Sequence, residues 1–425
     1  MLKKILRPKF LICALLLMAL VSYVITLFAI PGSITILAGE DYKISFRSPL
    51  FLQIHSQSNI LKVSDSNDTS ISAFEKPYNI MATEEGEAEL DLSVLGIIPV
   101  KTVEVRSIEK QKVIASGAPV GIKLKTSGII IINVSGVFLE DGTKVVPAET
   151  AGLLAGDVLI KAGGKDLNNI SDLTSVVKNS GGKPLEIIYR RQDTQYMTTI
   201  TPVKSGDDGE YRLGIWVRDS SAGIGTLTFI NPKNNIYGAL GHGINDIDTG
   251  SLLKVGSGTL MKSTIKGIKK GVKGAPGELE GDFLRSSDIL GDIELNCEFG
   301  IYGRIGNDIN KDKLGKLYSI GPHSTVRLGR ATILTCINGD EVEEFEIEIQ
   351  RIARNDLNST KNLVIQITDK RLLESTGGIV QGMSGSPIIQ DGRLIGAVTH
   401  VFINDPVRGY GVFIESMLKQ AESIE

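Results

Sequence analysis

Apolar residues run without a charged break from Phe10 to Ile30, with Ser22 and Thr26 the small polar interruptions. A run of that length can cross a bilayer as a helix. Lys3, Lys4, Arg7 and Lys9 precede it, which predicts a cytoplasmic N-terminus and an extracytoplasmic remainder. The run is longer than a signal-peptide core and no small-x-small cleavage site precedes Pro31, so residues 1–31 read as an uncleaved signal anchor, with later trimming open. Short alternating runs then follow at 33–37, 42–46, 50–54 and 60–63, with polar breaks at 65–69 and 84–87. Period-two alternation marks half-buried strands, and 32–112 is expected to be a β-rich spacer in which His55 is an ordinary strand-end residue.

Beyond residue 113 the pattern becomes more specific. Gly121-Ile122-Lys123-Leu124 leads into the apolar stretch 129–134, and Pro147 opens Pro-Ala-Glu-Thr-Ala-Gly-Leu-Leu-Ala-Gly-Asp-Val-Leu-Ile. That string predicts a short helix, a glycine turn at Gly156 and a strand. Gly163 and Gly164 suit a hairpin, and Ser171 can cap a helix that places Leu173, Val176 and Val177 on one face. Strands at 185–189 and 197–203 close the set. Residues 113–204 resemble a PDZ domain. The resemblance implies that an extended peptide adds as a strand beside the helix 171–178, below a loop of free amides at Ser127, Gly128, Ile129 and Ile130. That loop does not spell Gly-Leu-Gly-Phe, and a purely structural module is the alternative. After the turn Asp207-Asp208-Gly209, about ten short strands with glycine-rich connections predict one closed barrel or a pair over 205–425. Residues 413–425 suit a terminal helix.

Composition narrows the class. A chain of 425 residues is too long for one core. Its 46 basic and 49 acidic residues give a net charge of −3, with no cationic excess to point to nucleic acid. Low aromatic content and 47 glycines fit a mainly β protein. Cys13, Cys297 and Cys336 have no zinc-ligand spacing; the last two could pair, but read better as separate thiols. No metal or organic cofactor is implied, since Gly238-x-x-Gly241-x-Gly243 has the wrong spacing for a nucleotide loop.

The candidate chemistry centres on Gly382-Met383-Ser384-Gly385-Ser386-Pro387. Glycines bracket a serine between two apolar runs, which suits a nucleophile whose amide, with that of Gly382, holds a developing oxyanion. A serine hydroxyl needs a base, and the chain has four histidines. His242, in Leu-Gly-His-Gly-Ile at the end of an apolar segment, is preferred; His400 is its rival, and His323 reads as exposed loop. The third residue should be a carboxylate. Asp369, ending the strand 363–367, is preferred over Asp246, Asp248, Asp292 and Asp356. The order His, Asp, Ser matches the chymotrypsin-like arrangement of two six-stranded barrels. The expected fold is therefore mainly β: a chymotrypsin-like double β-barrel preceded by a PDZ domain and a transmembrane helix. Residues 397–401 would form a cleft wall that pairs with substrate backbone.

The anchor, the PDZ-like module, Gly-Ile-Gly-Thr-Leu-Thr-Phe, Ala-Leu-Gly-His-Gly-Ile and Gly-Met-Ser-Gly-Ser-Pro-Ile occur together and in order. That combination resembles the SpoIVB-type serine peptidase family of endospore-forming bacteria. By resemblance the histidine falls on His242, the aspartate on Asp369 and the serine on Ser384. The resemblance also implies secretion across the forespore membrane into the intermembrane space. The substrate there would be an inhibitory membrane partner, a regulatory subunit, of an intramembrane metalloprotease, whose release matures the late mother-cell sigma factor. Self-cleavage is implied too. Met383 departs from the digestive enzymes, which carry aspartate there to pair with a new N-terminus. A non-catalytic PDZ scaffold and a general envelope quality-control protease are the rival readings.

Overall fold

The computed structural model describes residues 8–46, 48–65, 77–283, 288–354 and 356–424. Lys3, Lys4, Arg7 and most of the polar break 65–69 lie outside them. The apolar run forms a helix, Pro8–Ala29. The alternating runs form two small sheets. Leu52–His55, Gly86–Val94, Ile98–Ile108 and Ser33–Leu37 make one, with Ser33–Leu37 parallel to Ile98–Ile108. Asp41–Ser45, Pro77–Ala82 and Leu61–Asp65 make the other. Ile36, Ile80, Leu90 and Val103 share their core.

Strand pairing resolves the remainder into two closed rings. In the first, Pro119–Val134 pairs with Ile215–Ile230, which pairs with Ile236–Ala239 and then Gly300–Ile305. Ile289–Cys297 and Val255–Lys262 follow, and the last returns to Pro119–Val134. The second ring runs Gly329–Asn338, Glu341–Ile352, Leu363–Ile367, Asp405–Phe413, Arg393–Phe402, Pro387–Gln390 and back to Gly329–Asn338. Each ring has six staves, as the chymotrypsin-like expectation required. Glu341–Ile352 shows why the sequence folds so: Phe345, Ile347 and Ile349 are buried while Glu344, Glu346 and Glu348 alternate outward. That alternation fits a sheet with one dry face. The terminal helix forms over Ile414–Glu422 and packs Met417 and Leu418 into the interior.

The PDZ-like module does not simply precede the barrels. Its strands Val158–Ala162, Leu185–Arg191 and Thr194–Ile200 build on the 129–134 half of Pro119–Val134, while the 119–126 half is a stave of the first ring. The chain returns along Ile215–Ile230, whose first residues pair with 130–134 and whose last residues belong to the ring. Residues inside the expected 113–204 module thus complete the peptidase barrel. The module's helix is Ile170–Asn179, capped by the Asn169 side chain on the Asp172 amide at 3.0 Å rather than by Ser171. Its core includes Leu159, Leu173, Val177 and Ile187. Cys297 and Cys336 are free thiols.

Candidate active site

Ser384 lies in the turn between the second ring's helix, Lys370–Thr376, and its strand Pro387–Gln390. The turn is tied to the first ring by one strand. Thr226 donates its amide to the Ser384 carbonyl at 3.0 Å and its Oγ1 to the Gly382 carbonyl at 2.7 Å. Thr228 Oγ1 donates to the Gly385 carbonyl at 2.8 Å. Gly385 has φ +96°, and a Cβ there would lie 2.1 Å from the Thr226 carbonyl oxygen and 2.5 Å from the Leu240 amide. Only glycine lets the two rings approach this closely.

Two peptide planes in the turn are oriented by their carbonyls. Gln381 O accepts from Leu279 N at 2.8 Å, and Met383 O accepts from Ser386 N at 3.0 Å. In a trans peptide the N–H points opposite to its C=O, so these bonds aim the amides of Gly382 and Ser384 away. Among the described residues neither amide donates to a protein acceptor, whereas those of Met383, Gly385 and Ser386 all do. A pair of free amides at the nucleophile is the requirement for an oxyanion hole. Met383 itself is fully buried in the second ring's core, a packing residue where digestive enzymes carry a charge.

His242 reaches this turn from the first ring. Leu240 and Gly241 both have left-handed backbone, φ +69° and +68°, and swing the chain across the end of Ile236–Ala239. His242 Nδ1 lies 2.9 Å from its neighbour's carbonyl, Gly243 O. A carbonyl only accepts, so Nδ1 carries the proton and Nε2 is left as the basic nitrogen. Burial holds the His242 pKa below its ordinary value of 6.5, against the opposing effect of the Gly243 bond. The His242 ring packs on that of His400, centroids 4.6 Å apart and planes tilted by 34°. Burial, His242 and Lys361 together push His400 down to about 4. His400 therefore stacks on the base as a second neutral imidazole. The Ser384 hydroxyl donates to Thr399 O at 2.7 Å, not to His242. Ser384 and His242 are brought together on either side of Thr399-His400, with the hydroxyl parked on the backbone. Of the expected cleft wall 397–401, Ala397 pairs with Pro387 and Val398 bonds the Ser384 turn, so only 399–401 lacks a strand partner on the Ser384 side among the described residues.

Asp369 is a correction. It is the N-cap of Lys370–Thr376, its Oδ1 accepting from Arg371 N at 2.9 Å and its Oδ2 from Arg371 Nη2 at 3.0 Å. Burial raises its pKa, but the bonds from Arg371 and from the Glu346 amide outweigh this and leave it lowered. Register puts it far from the base. Thr399 Oγ1 bonds Thr360 O, at the start of Leu363–Ile367, and Asp369 lies past that strand's other end. Strand register sets Val401 beside Gly409 and Gly409 beside Ile365, and at about 3.3 Å per residue the four positions from Ile365 to Asp369 span roughly 13 Å. The other carboxylates are also engaged elsewhere. Asp246 is buried and bonds Arg218 at 2.6 Å, and Asp248 bonds the same guanidinium at 2.9 Å. Asp356 accepts the Asn358 amide, and Asp292 is exposed on Ile289–Cys297. The place of the third residue, on His242 Nδ1, is taken by a backbone carbonyl. His323 is corrected as well: it is buried at 2% exposure, and Glu415 Oε2 accepts from both its amide and its Nδ1.

Residues 209–418 match the family described as SpoIVB peptidase S55. That part of the chain, which holds most of both rings, belongs to the family. Ser384 and His242, which face one cleft, both lie within the matched residues. The serine protease HTRA1 of Xenopus tropicalis is 34% identical over 70 residues, 16% of this chain and 15% of that one. A protein described as a zinc metalloprotease, from Bartonella henselae, is 36% identical over 107 residues, 25% of this chain and 27% of its own. The chain thus spans between 15% and 27% of the length of these curated relatives. Their chemistries differ, so what the short alignments share is not a catalytic mechanism. Among solved structures, the PDZ domain of the SdrC-like protein from Listeria monocytogenes is similar at 21% identity, covering 21% of this chain and 87% of that one, TM-score 0.18. The HtrA-type protease AlgW with a decapeptide is similar at 13% identity, covering 52% and 55%, TM-score 0.29.

Outside the matched residues, the expected peptide loop also moves. Ser127 N is bonded to Lys254 O. Ile129 and Ile130 pair with Leu159 and Val158, and Ile130 pairs with Arg218 on its other side. Of Ser127, Gly128, Ile129 and Ile130, the first has its amide taken and the last is paired on both sides, so the four are not a loop of free amides. The open edge belongs to 215–218, which pairs only with 130–134. The helix Ile170–Asn179 is fastened to this strand, Ile170 N donating to Asp219 Oδ2 at 2.9 Å. The amides of Leu213 and Gly214 donate to no protein acceptor among the described residues. Arg-Leu-Gly-Ile-Trp-Val at 212–217 was the signal: a glycine between apolar residues at the head of a strand.

Proposed function

We propose that this protein is a membrane-anchored serine endopeptidase acting outside the cytoplasm, with Ser384 as nucleophile, His242 as base and the Gly382 and Ser384 amides as oxyanion hole. The observation that carries the reading is the cleft between the rings, where the serine, the base and two free amides meet around Thr399-His400. Rotation of the Ser384 hydroxyl from Thr399 O toward His242 Nε2 arms the site. The serine oxygen then attacks a peptide carbonyl carbon as its proton passes to Nε2, and the developing oxyanion takes the two amides. The C–N bond breaks, the leaving amine receives that proton, and water cleaves the acyl-serine with His242 again as base. Gly243 O fixes the tautomer throughout.

The substrate reading follows the family. An inhibitory membrane partner of an intramembrane metalloprotease is the target, its cleavage releasing late mother-cell sigma factor maturation. The enzyme trims itself and works from the forespore membrane into the intermembrane space. The groove between Ile170–Asn179 and 215–218 holds an extended peptide of the target. Its open edge and the free amides of Leu213 and Gly214 support this. Treating the full chain in membranes with a fluorophosphonate probe tests the chemistry. Labelling is expected in wild type and lost in Ser384→Ala and His242→Ala; an unlabelled wild type, or labelling that survives Ser384→Ala, defeats the reading.

A further inference from the structure

The spacer carries large apolar side chains on its surface at one place. Phe51 is 70% exposed, Leu95 65%, Ile97 83% and Ile98 55%. They are neighbours: the hairpin between Gly86–Val94 and Ile98–Ile108 turns at 95–97, and Leu95 N donates to Phe51 O at 3.3 Å. Neither 48–54 nor 92–100 contains a charged residue, whereas Glu87, Glu89 and Asp91 lie further up the same hairpin. The turn's backbone is satisfied internally, with Ile97 N on Val94 O at 3.1 Å.

This tip lies alongside the N-terminal helix. Lys101 Nζ donates to Ile30 O at 2.6 Å and to Leu27 O at 3.4 Å, and Tyr23 OH donates to Pro99 O at 3.2 Å. From Lys101 to Pro99 the strand descends about 7 Å, and from Leu27 to Tyr23 the helix descends about 6 Å. The hairpin therefore runs down the helix, and its turn at 95–97 lies deeper still. Thr26 and Ile30 are buried against the spacer, but residues 12–21 are exposed on every side. From Phe10, the first residue past the basic cluster, to Val21 the helix rises only about 18 Å, short of the ~30 Å hydrocarbon core of a bilayer. The missing length must come from 22–29, the part with the hairpin against it.

We infer that the hairpin tip and Phe51 form a second membrane contact, seated in the outer leaflet of the bilayer that the helix crosses. The occupant of this patch is lipid. The patch is continuous with the helix, uncharged, and held at the depth where the helix needs hydrocarbon. This rests on the reading of Pro8–Ala29 as a membrane span. Seating the tip fixes the spacer's height and tilt, where a helix alone would leave a swivelling tether.

The full chain, reconstituted in phosphatidylethanolamine–phosphatidylglycerol vesicles, tests this with lipids brominated on their acyl chains. Trp216, the sole tryptophan, is 62% exposed in the PDZ-like module and serves as the unquenched control. In Ile97→Trp and Phe51→Trp, each with Trp216→Phe, most of the emission is expected to be lost to the bromolipids. Emission as insensitive to them as that of Trp216, in chains that float with the vesicles, overturns the second contact and leaves the anchor standing. Tryptophan shielded from both bromolipid and aqueous iodide assigns the patch to a protein partner and overturns it too. Chains that do not float overturn anchor and contact together.

Discussion

Asp369→Asn separates two accounts of this active site by orders of magnitude. If Asp369 oriented His242, an amide in its place would impose the wrong tautomer, and by analogy with the best-studied triad activity would fall about 10⁴-fold. The structure assigns it other work, as cap of Lys370–Thr376 and partner of Arg371. Losing such a cap costs about 1 kcal/mol. The ion pair adds little, because Arg371 is 60% exposed and surface pairs contribute about 0–1 kcal/mol. For a domain of this size that amounts to a melting shift of roughly 2–4 °C per kcal/mol. Asparagine keeps a side-chain oxygen to cap with, so Asp369→Asn is expected to label with fluorophosphonate at nearly the wild-type rate, and Asp369→Ala to melt a few degrees lower. The assay is the second-order labelling rate of the full chain in membranes, with thermal melting alongside. A thousandfold or greater loss of labelling in Asp369→Asn at unchanged melting temperature would refute the reasoning. The carboxylate's lowered pKa gives a second signature: its contribution is present above the ordinary carboxylate value, about pH 4, and lost as pH falls below it.

Three further outcomes follow from the site. Because burial lowers the His242 pKa, its neutral, basic form persists below pH 6.5, and the acid limb of the labelling rate should have its midpoint under that value; a midpoint at or above 7 contradicts the buried, carboxylate-free base. Gly385→Ala forces a Cβ against backbone at a positive φ, with strain alone costing about 1–3 kcal/mol. It should lower the melting temperature and abolish labelling, and a variant that labels normally would show that the rings need not meet so closely. Arg218→Ala leaves Asp246, a carboxylate with no side-chain exposure, without its cation, a change that costs about 3–5 kcal/mol. Melting should drop sharply, and Arg218→Ala/Asp246→Asn should recover part of it, whereas additive losses would mean that the pair is not coupled.

Much of this architecture could be read from local pattern. The alternation of 341–352 specified a stave, the apolar run a helix, and the glycines around Ser384 a turn with room for chemistry. What failed was non-local. Thr368-Asp369-Lys370-Arg371-Leu372-Leu373 carries an ordinary helix-start signal, an aspartate ahead of an apolar pair. Taken as the end of the strand 363–367, the same aspartate passes for a free carboxylate. His323 looked exposed because its partner, Glu415, is 92 residues away. The peptide edge was misplaced because Pro119–Val134 passes through two domains without any break in sequence pattern, and its second neighbour arrives only with Ile215–Ile230.

That pair of long strands decides what a single cut in the PDZ-like module can release. The PDZ-like module hangs from the barrel by both its ends, so it cannot be shed by one cut. A nick anywhere between 135 and 214 leaves 119–126 and 220–230 hydrogen-bonded as adjacent staves of a closed ring. The product would run as two fragments on a denaturing gel and as one particle in solution. Conversely, a fragment begun at Asp207 lacks a stave altogether, and its inactivity would report a broken barrel rather than a missing regulator.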